Sequence, residues 1–287
     1  MNYHFHKNGW TVILDDFDFN QASQDDINSI SKLMSTNTLV VAKKQKLSIH
    51  DHIRITKMFK DPVRLFPDIN DPLYKRTVVP DTDGLILRVG GEPNEDGETG
   101  IAESVAEVIW HSDPHWPDLK CMLILLLARK GTSNSKTSWI NNIASYNDLD
   151  QDTKQQLSSL KGILLSGIDF NKDKLFVDEY GLVRPPSTGF NKKTIPIVQT
   201  NIAGVTGLYF PFNQIHAFEG MPESESKELI KHISSHITQE KYCYHHEWDD
   251  GDVIITDQRF GIHMRHRCEH ISSRLLHRSL FDYAGFQ

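Results

Sequence analysis

The sequence predicts a mainly β chain of the mixed α/β class, with one antiparallel sheet system built from segments far apart in the chain. Three observations predict it. Short runs of β-branched and apolar residues recur from "TVILDDF" near the start to "SRLLHRSLFDY" near the end. Helical spacing is confined to two early segments, a middle insertion and one late segment. No Pro/Ser-rich linker divides the 287 residues, so the strands before and after the insertion are expected to share one domain spanning 1–287.

In chain order, "TVILDDF" reads as a strand. "QDDINSISKLMSTN" carries helical spacing through Ile27, Ile30 and Leu33-Met34. "TLVVAKK" is a strand, and "SIHDHIRITKMFK" a second helix with Ser48 as its N-cap. From about 66 to 100 the pattern breaks. "FPDINDPLYKR" and "VGGEPNEDGETG" are rich in Pro, Gly, Asn and acid, which marks a loop or lid region around the strand "GLILRV". There the acidic run from Glu92 to Glu98 is expected to be mobile and solvated, with Lys75 and Arg76 facing solvent. "SVAEVIWHSD" opens the core and "CMLILLLA" continues it as a buried strand. A helical insertion is expected at about 138–160, "SWINNIASYNDLDQDTKQQLSSL". "IPIVQT" and "TGLYFPF" are strands and "ESESKELIKHISSHI" is a helix. In "YCYHHEWDDGDVIITDQRFGIHMRH" the "DDGD" is a turn between strands.

Composition excludes several classes. A net charge of −7 argues against a phosphate-binding surface, so no nucleic-acid partner is expected. The longest apolar run, Cys121 to Ala128, is too short to span a bilayer. The N-terminus has no apolar signal segment. Three cysteines without C-x-x-C pairing read as reduced thiols. A cytoplasmic protein with no membrane partner is the expectation.

The stretch "VIWHSDPHW" carries the chemistry. On a strand, residues i and i+2 share a face, roughly 6.6 Å apart along the backbone. His111 and Asp113 can therefore converge on one ion. His263, after "DVIITDQRFGI", is the candidate third ligand. Two neutral imidazoles and one carboxylate make a facial triad that leaves open positions and suits non-haem Fe(II). A solvated strand end is the alternative reading of the pair. Beyond His263, Arg274 and Arg278 share a face if "RLLHR" is a strand. Two guanidiniums on one buried wall call for anions, and a planar fork suits carboxylates. His115 shares the face of His111 and Asp113 and is a candidate substrate contact. Trp116 beside it serves either substrate contact or packing.

Several of these segments, in this order, resemble the taurine dioxygenase-like (TauD/TfdA) family of Fe(II)/2-oxoglutarate-dependent dioxygenases, from about Thr38 to the end. "WHSD" is similar to that family's W-H-x-D strand. "TSWINNIASYNDL" is similar to its T-x-W/F-x-x-x-x-A-Y-x-x-L segment. "WDDGDVIITDQRFGIH" resembles W-x-x-G-D-x-x-x-x-D-N-R-x-x-x-H, and "SRLLHRSLF" resembles the R-x-x-H-R close. The resemblance implies a double-stranded β-helix (jelly-roll, cupin-like) core with flanking and inserted helices. It implies Fe(II) on His111, Asp113 and His263, and 2-oxoglutarate held by Thr137 and Arg274. Arg278 would stand at the cofactor–substrate boundary, where some members hold a substrate anion.

The implied reaction uses O2, converts 2-oxoglutarate to succinate and CO2, and hydroxylates an unactivated C–H of a small molecule such as a secondary metabolite, amino acid or sulfonate. A peptidyl or protein hydroxylase on the same fold, or a desaturase or cyclase outcome, is the alternative. A homo-oligomer stays open. The chain departs from the pattern at "GTSNSKT", at Gln258 in place of Asn, at "TIPIVQT" and at "YFPFNQIH". The last two changes lie near the substrate side in relatives and put taurine itself in doubt.

Overall fold

The computed structural model describes residues 1–59, 62–66, 68–113, 122–166, 176–179, 181–184 and 191–282. Two sheets form its centre. The larger runs, in spatial order, through Asn2–Phe5, Val12–Asp15, Leu39–Ala42, Val253–Asp257, Met122–Lys130, Leu275–Asp282 and Pro62–Val63, with Leu87–Val89 also paired to Leu275–Asp282. The smaller runs Cys243–Glu247, Lys136–Asn141, Gly261–Arg265, Val108–His111. Pairing is antiparallel in both, except where Val12–Asp15 lies parallel to Leu39–Ala42. A third sheet joins Asn191–Pro196, Lys161–Ser166 and Ile215–Phe218.

The run "MLILLLA" shows why such a continuous apolar segment is a strand. Leu123, Leu125 and Leu127 pack outward with Val253 and Ile255. Ile124, Leu126 and Ala128 pack inward with Ile254, Trp139 and Trp248. A strand buried on both faces loses the usual polar alternation. The outer face is covered by two helices, Gln24–Met34 and Ile49–Met58. Each begins in a capping box, Ser23 with Asp26 and Ser48 with Asp51, which satisfies orphan N–H groups at its start. Ile27, Ile30, Met34 and Ile55 then form the stripe that meets the sheet. Elsewhere, the helix Glu223–Ile237 buries Ile230, Ile233 and Ile237 against Phe210, Phe212 and Phe218.

Four expectations change. The helical insertion begins at Asn142, not 138: Ser138–Asn141 belong to the strand Lys136–Asn141, captured by partners on both sides, and helices follow at Asn142–Asn147 and Gln151–Ser158. "IPIVQT" splits around Ile197 into two strands with different partners. Strands at Asn2–Phe5, Lys161–Ser166 and Ile215–Phe218 were not foreseen.

The region 66–100 is not a free lid either. It holds the helix Pro72–Thr77, capped by Asp71, and the strand Leu87–Val89. Its acidic stretch is tied down by guanidiniums on backbone carbonyls. Arg88 donates to the carbonyls of Glu92 and Glu98, and Arg76 to those of Thr99 and Gly100. Lys130 pairs with Glu92. Among the described residues, no helix is long and apolar enough to cross a membrane.

Candidate metal and 2-oxoacid site

The small sheet brings the site together through its register. His263 lies directly opposite His111 in the pairing of Gly261–Arg265 with Val108–His111. Their rings sit 4.2 Å apart at 48°. Asp113, two residues past His111, places Oδ2 3.8 Å from His263 Nε2. One donor atom from each of the three residues lies within 4.8 Å of the others. The ring of Trp139, opposite His263 on the other neighbouring strand, stacks on it at 6.3 Å and 21°.

The protonation states suit a cation. His111 Nδ1 contacts the Ile109 carbonyl at 2.6 Å. A carbonyl only accepts, so Nδ1 carries the hydrogen, and in the neutral ring Nε2 keeps its lone pair. Burial is the main cause that lowers the His111 pKa, against the opposing pull of Asp113. Burial, reinforced by His111, pushes His263 down to about 3. For Asp113 burial alone would raise the pKa. Arg278, then His263 and His111, more than offset it and hold the carboxylate below its ordinary range. Two neutral imidazoles and one ionised carboxylate converge, the donor set a hard or borderline divalent cation takes.

The strand end that carries this pair is locked by two glutamines. Gln214 Oε1 accepts from the Ser112 N–H at 2.9 Å, and its Nε2 donates to the Ser112 carbonyl at 3.1 Å. Ser112 Oγ donates to the Gln258 carbonyl, and Gln258 Oε1 accepts from the Asp113 N–H at 3.1 Å. The sequence marked Gln258 and "NQIH" as departures only. The structure shows both glutamines splinting His111–Ser112–Asp113, over separations of 102 and 145 residues.

Arg278 Nη1 donates to Asp113 Oδ1 at 2.8 Å. One carboxylate oxygen is thereby committed, and Oδ2 is the one left toward His263. The expectation that Arg278 serves a substrate anion is therefore refined: its first partner is Asp113, while its buried Nε has no partner among the described residues. Arg274 is 2% exposed, and its Nε donates to Ser135 Oγ at 3.0 Å while Nη1 has no partner among the described residues. No carboxylate pairs with Arg274 among the described residues. Burial, with Arg265 nearby, lowers its pKa to about 9.

Glycines let the Arg274 backbone settle there. Gly90, at φ +130°, runs so close that an added Cβ would lie 2.0 Å from the Arg274 carbonyl oxygen. The "VGG" stretch thus forms the wall behind Arg274 rather than part of a lid. Thr137 is buried, and its Oγ1 accepts from Trp248 Nε1 at 2.9 Å.

Arg265, which the sequence did not single out, lies opposite Thr137 in register. It donates to the carbonyls of Ser104, Ala106 and His266, fixing the segment that leads to His111. The alternation H-x-R after a candidate ligand was the available signal. His266 is half-buried and shares Ser138 Oγ with His245. The candidate substrate contacts His115 and Trp116 lie outside the described residues.

The model of a protein family described as "Taurine catabolism dioxygenase TauD, TfdA family" matches residues 6–280. Two relatives carry the name alpha-ketoglutarate-dependent 2,4-dichlorophenoxyacetate dioxygenase. That of Burkholderia sp. (strain RASC) is 24% identical over 259 residues, covering 88% of this chain and 84% of the relative. That of Cupriavidus pinatubonensis is 24% identical over 274 residues, covering 93% and 92%. Among solved structures, AAD-2 in complex with Mn(II) and N-oxalylglycine superposes with a TM-score of 0.76 at 17% identity, covering 97% of this chain and 96% of the other. A taurine dioxygenase from Burkholderia xenovorans gives 0.70 at 15%, covering 95% and 85%. These likenesses show the jelly-roll fold.

Proposed function

We infer the function of this chain from one premise: it belongs to the taurine catabolism dioxygenase TauD, TfdA family. It is accordingly read as a 2-oxoglutarate-dependent dioxygenase acting with a divalent metal. We propose that the metal is Fe(II) and the reaction the hydroxylation of a small molecule that carries an anionic group. One observation supports this most directly: two neutral imidazoles and one carboxylate converge within 4.8 Å, backed by a buried arginine that no carboxylate meets among the described residues.

When bound, Fe(II) and 2-oxoglutarate supply the oxidative chemistry, in which O2 is consumed, 2-oxoglutarate becomes succinate and CO2, and a substrate C–H is hydroxylated. The protein's part is positional and electrostatic. His111, Asp113 and His263 would hold the metal, with Asp113 offsetting one of its charges. The Nδ1–H bond to Ile109 keeps His111 Nε2 as the donor. Arg274 Nη1 and the Thr137 hydroxyl would bind the far carboxylate of 2-oxoglutarate and orient the keto acid. Arg278 holds Asp113 to a single donating oxygen, and its remaining N–H groups offer a site for the substrate anion. His115 and Trp116 are proposed as further substrate contacts.

Strands from Asn2 to Asp282 share the large sheet, which supports a single domain as the working unit. Anaerobic addition of Fe(II) and then 2-oxoglutarate tests the reading. A weak visible charge-transfer band is expected, and a folded protein without one would overturn it. Succinate release across aryloxyalkanoic acids, sulfonates and amino acids then identifies the substrate class. Release with peptides alone would point to the protein-hydroxylase alternative.

A further inference from the structure

The wall that presents Thr137 and Arg274 has a polarity set by its neighbours. An indole N–H donates and never accepts. The 2.9 Å contact between Trp248 Nε1 and Thr137 Oγ1 therefore has one direction, with the threonine accepting. A hydroxyl carries one proton, and that of Thr137 must turn away from the indole. The Thr137 hydroxyl makes no other hydrogen bond among the described residues, so this proton is uncommitted.

Ser135 repeats the logic two residues earlier, on the same side of the chain. Its Oγ donates to the Thr132 carbonyl at 2.6 Å, so it must accept from Arg274 Nε at 3.0 Å. That fixes the plane of the guanidinium and leaves Nη1 without a partner among the described residues. Trp248 ties the two together, because its backbone N–H donates to the Ser135 carbonyl at 3.0 Å. The indole is itself held. It meets Trp139 edge-on at 6.2 Å and His246 at 4.7 Å, and His246 is anchored to Asp252 at 3.1 Å. Trp248 is 1% exposed and Thr137 4%. The outcome is a buried wall offering two donors. An ionised carboxylate accepts from both and offsets the guanidinium charge, which a neutral acceptor does not.

We propose that Trp248 is a positioning residue. By donating to Thr137 it makes the threonine hydroxyl a donor toward the far carboxylate of 2-oxoglutarate, and Ser135 does the same for Arg274. This rests on the reading of the site given above and adds to it the residues that set its preference for a dicarboxylic keto acid.

The test compares binding of two keto acids to the Fe(II)-loaded protein without O2. 2-Oxoglutarate has the far carboxylate, and 2-oxobutyrate has the same chelating end without it. Trp248→Phe is expected to raise the Kd for 2-oxoglutarate about five- to tenfold and to leave that for 2-oxobutyrate within about twofold. Thr137→Val should do the same, and the double variant should lose little more than Thr137→Val alone. Equal weakening of both keto acids, or additive losses in the double variant, would overturn the proposal. Ser135→Ala supplies an independent arm with the same expected selectivity if Trp248→Phe fails to fold. A wild-type protein that binds neither keto acid overturns the underlying reading and the proposal together. Tight 2-oxoglutarate binding unchanged by Trp248→Phe overturns the proposal alone.

Discussion

Among the described residues two pairs of histidines, one half-buried in the small sheet and one fully buried behind the large sheet, differ in what stands beside them. His111 and His263 face each other across the small sheet, with Asp113 within reach of His263. His52 and His277 stack behind the large sheet at 6.4 Å and 27°, where the helix Ile49–Met58 covers it. His52 Nε2 meets Ser279 Oγ, and neither ring's Nδ1 has a partner among the described residues. Burial is the first cause of the lowered pKa in both pairs, and it takes His263, His52 and His277 each to about 3. Burial alone thus makes imidazoles neutral without making a metal site. The third neighbour decides. Asp113 gives the inner pair a negative charge, whereas Arg129 and Arg88 give the outer pair positive ones that oppose any cation.

The largest break in this comparison is expected from Asp113→Ala. Without the carboxylate the inner pair should resemble the outer one. Metal affinity, followed by calorimetric titration of Fe(II) under anaerobic conditions, should fall by more than the roughly 10–100-fold that loss of an outer partner costs. Succinate release should vanish with it.

Acid should act most visibly through the outer pair. Both rings titrate near 6.5 when unfolded and near 3 when folded. Between those values the unfolded chain binds more protons, so stability rises with pH. The contribution is complete above about 6.5 and is lost as pH falls toward 3, on the order of a few kcal/mol for the two rings. Denaturant melts from pH 7 to pH 4 check this. A His52→Phe, His277→Leu variant should show a flatter profile.

Arg278→Met sharpens the inner site. It frees Asp113 Oδ1 and removes the charge that holds Asp113 ionised, with an expected loss of roughly 10–100-fold in Fe(II) affinity. An unchanged affinity would show that the arginine serves another partner. The smallest effect belongs to His52→Phe alone at pH 7. A neutral ring with an unpartnered Nδ1 is replaced by an apolar one, and Ser279 keeps Thr56 as a partner. Stability should change by no more than about 1 kcal/mol, with Fe(II) and 2-oxoglutarate binding unaltered.

The two pairs also mark how far the sequence could be read. H-x-D at 111–113 could be read because strand alternation forces i and i+2 onto one face, whereas His263 was a candidate carried by the order of the segments that resemble the family, and register set it opposite His111. Nothing local distinguished His277, which sits inside the same "RLLHR" segment as Arg274 and Arg278. Its alternation sends it to the opposite face, under a helix from residues 49–58. The start of the helical insertion was misplaced for a related reason. "TSWIN" satisfies a period of two as well as a helical one, and pairing with Cys243–Glu247 and Gly261–Arg265 settled it as strand. The roles of Gln214, Arg265 and Trp248 escaped notice because each acts on a residue more than 100 positions away.

The sequence by itself determined the strands that alternate or bury both faces, the capped helices, and the two imidazoles and carboxylate able to take a metal. Those follow from local rules, side-chain period, caps and the chemistry of each residue type, except His263, which rested on the order of segments that resemble the family. Only the tertiary structure decided that Arg278 holds Asp113, that Gln214 and Gln258 splint the strand between the two ligand candidates, and that the Glu92–Glu98 stretch is pinned by arginines. It also decided that one histidine pair gained a carboxylate while the other gained guanidiniums. The physical reason is register. Hydrogen-bonded pairing between strands distant in the chain fixes which side chains face one another, and no spacing along a single strand encodes its neighbour.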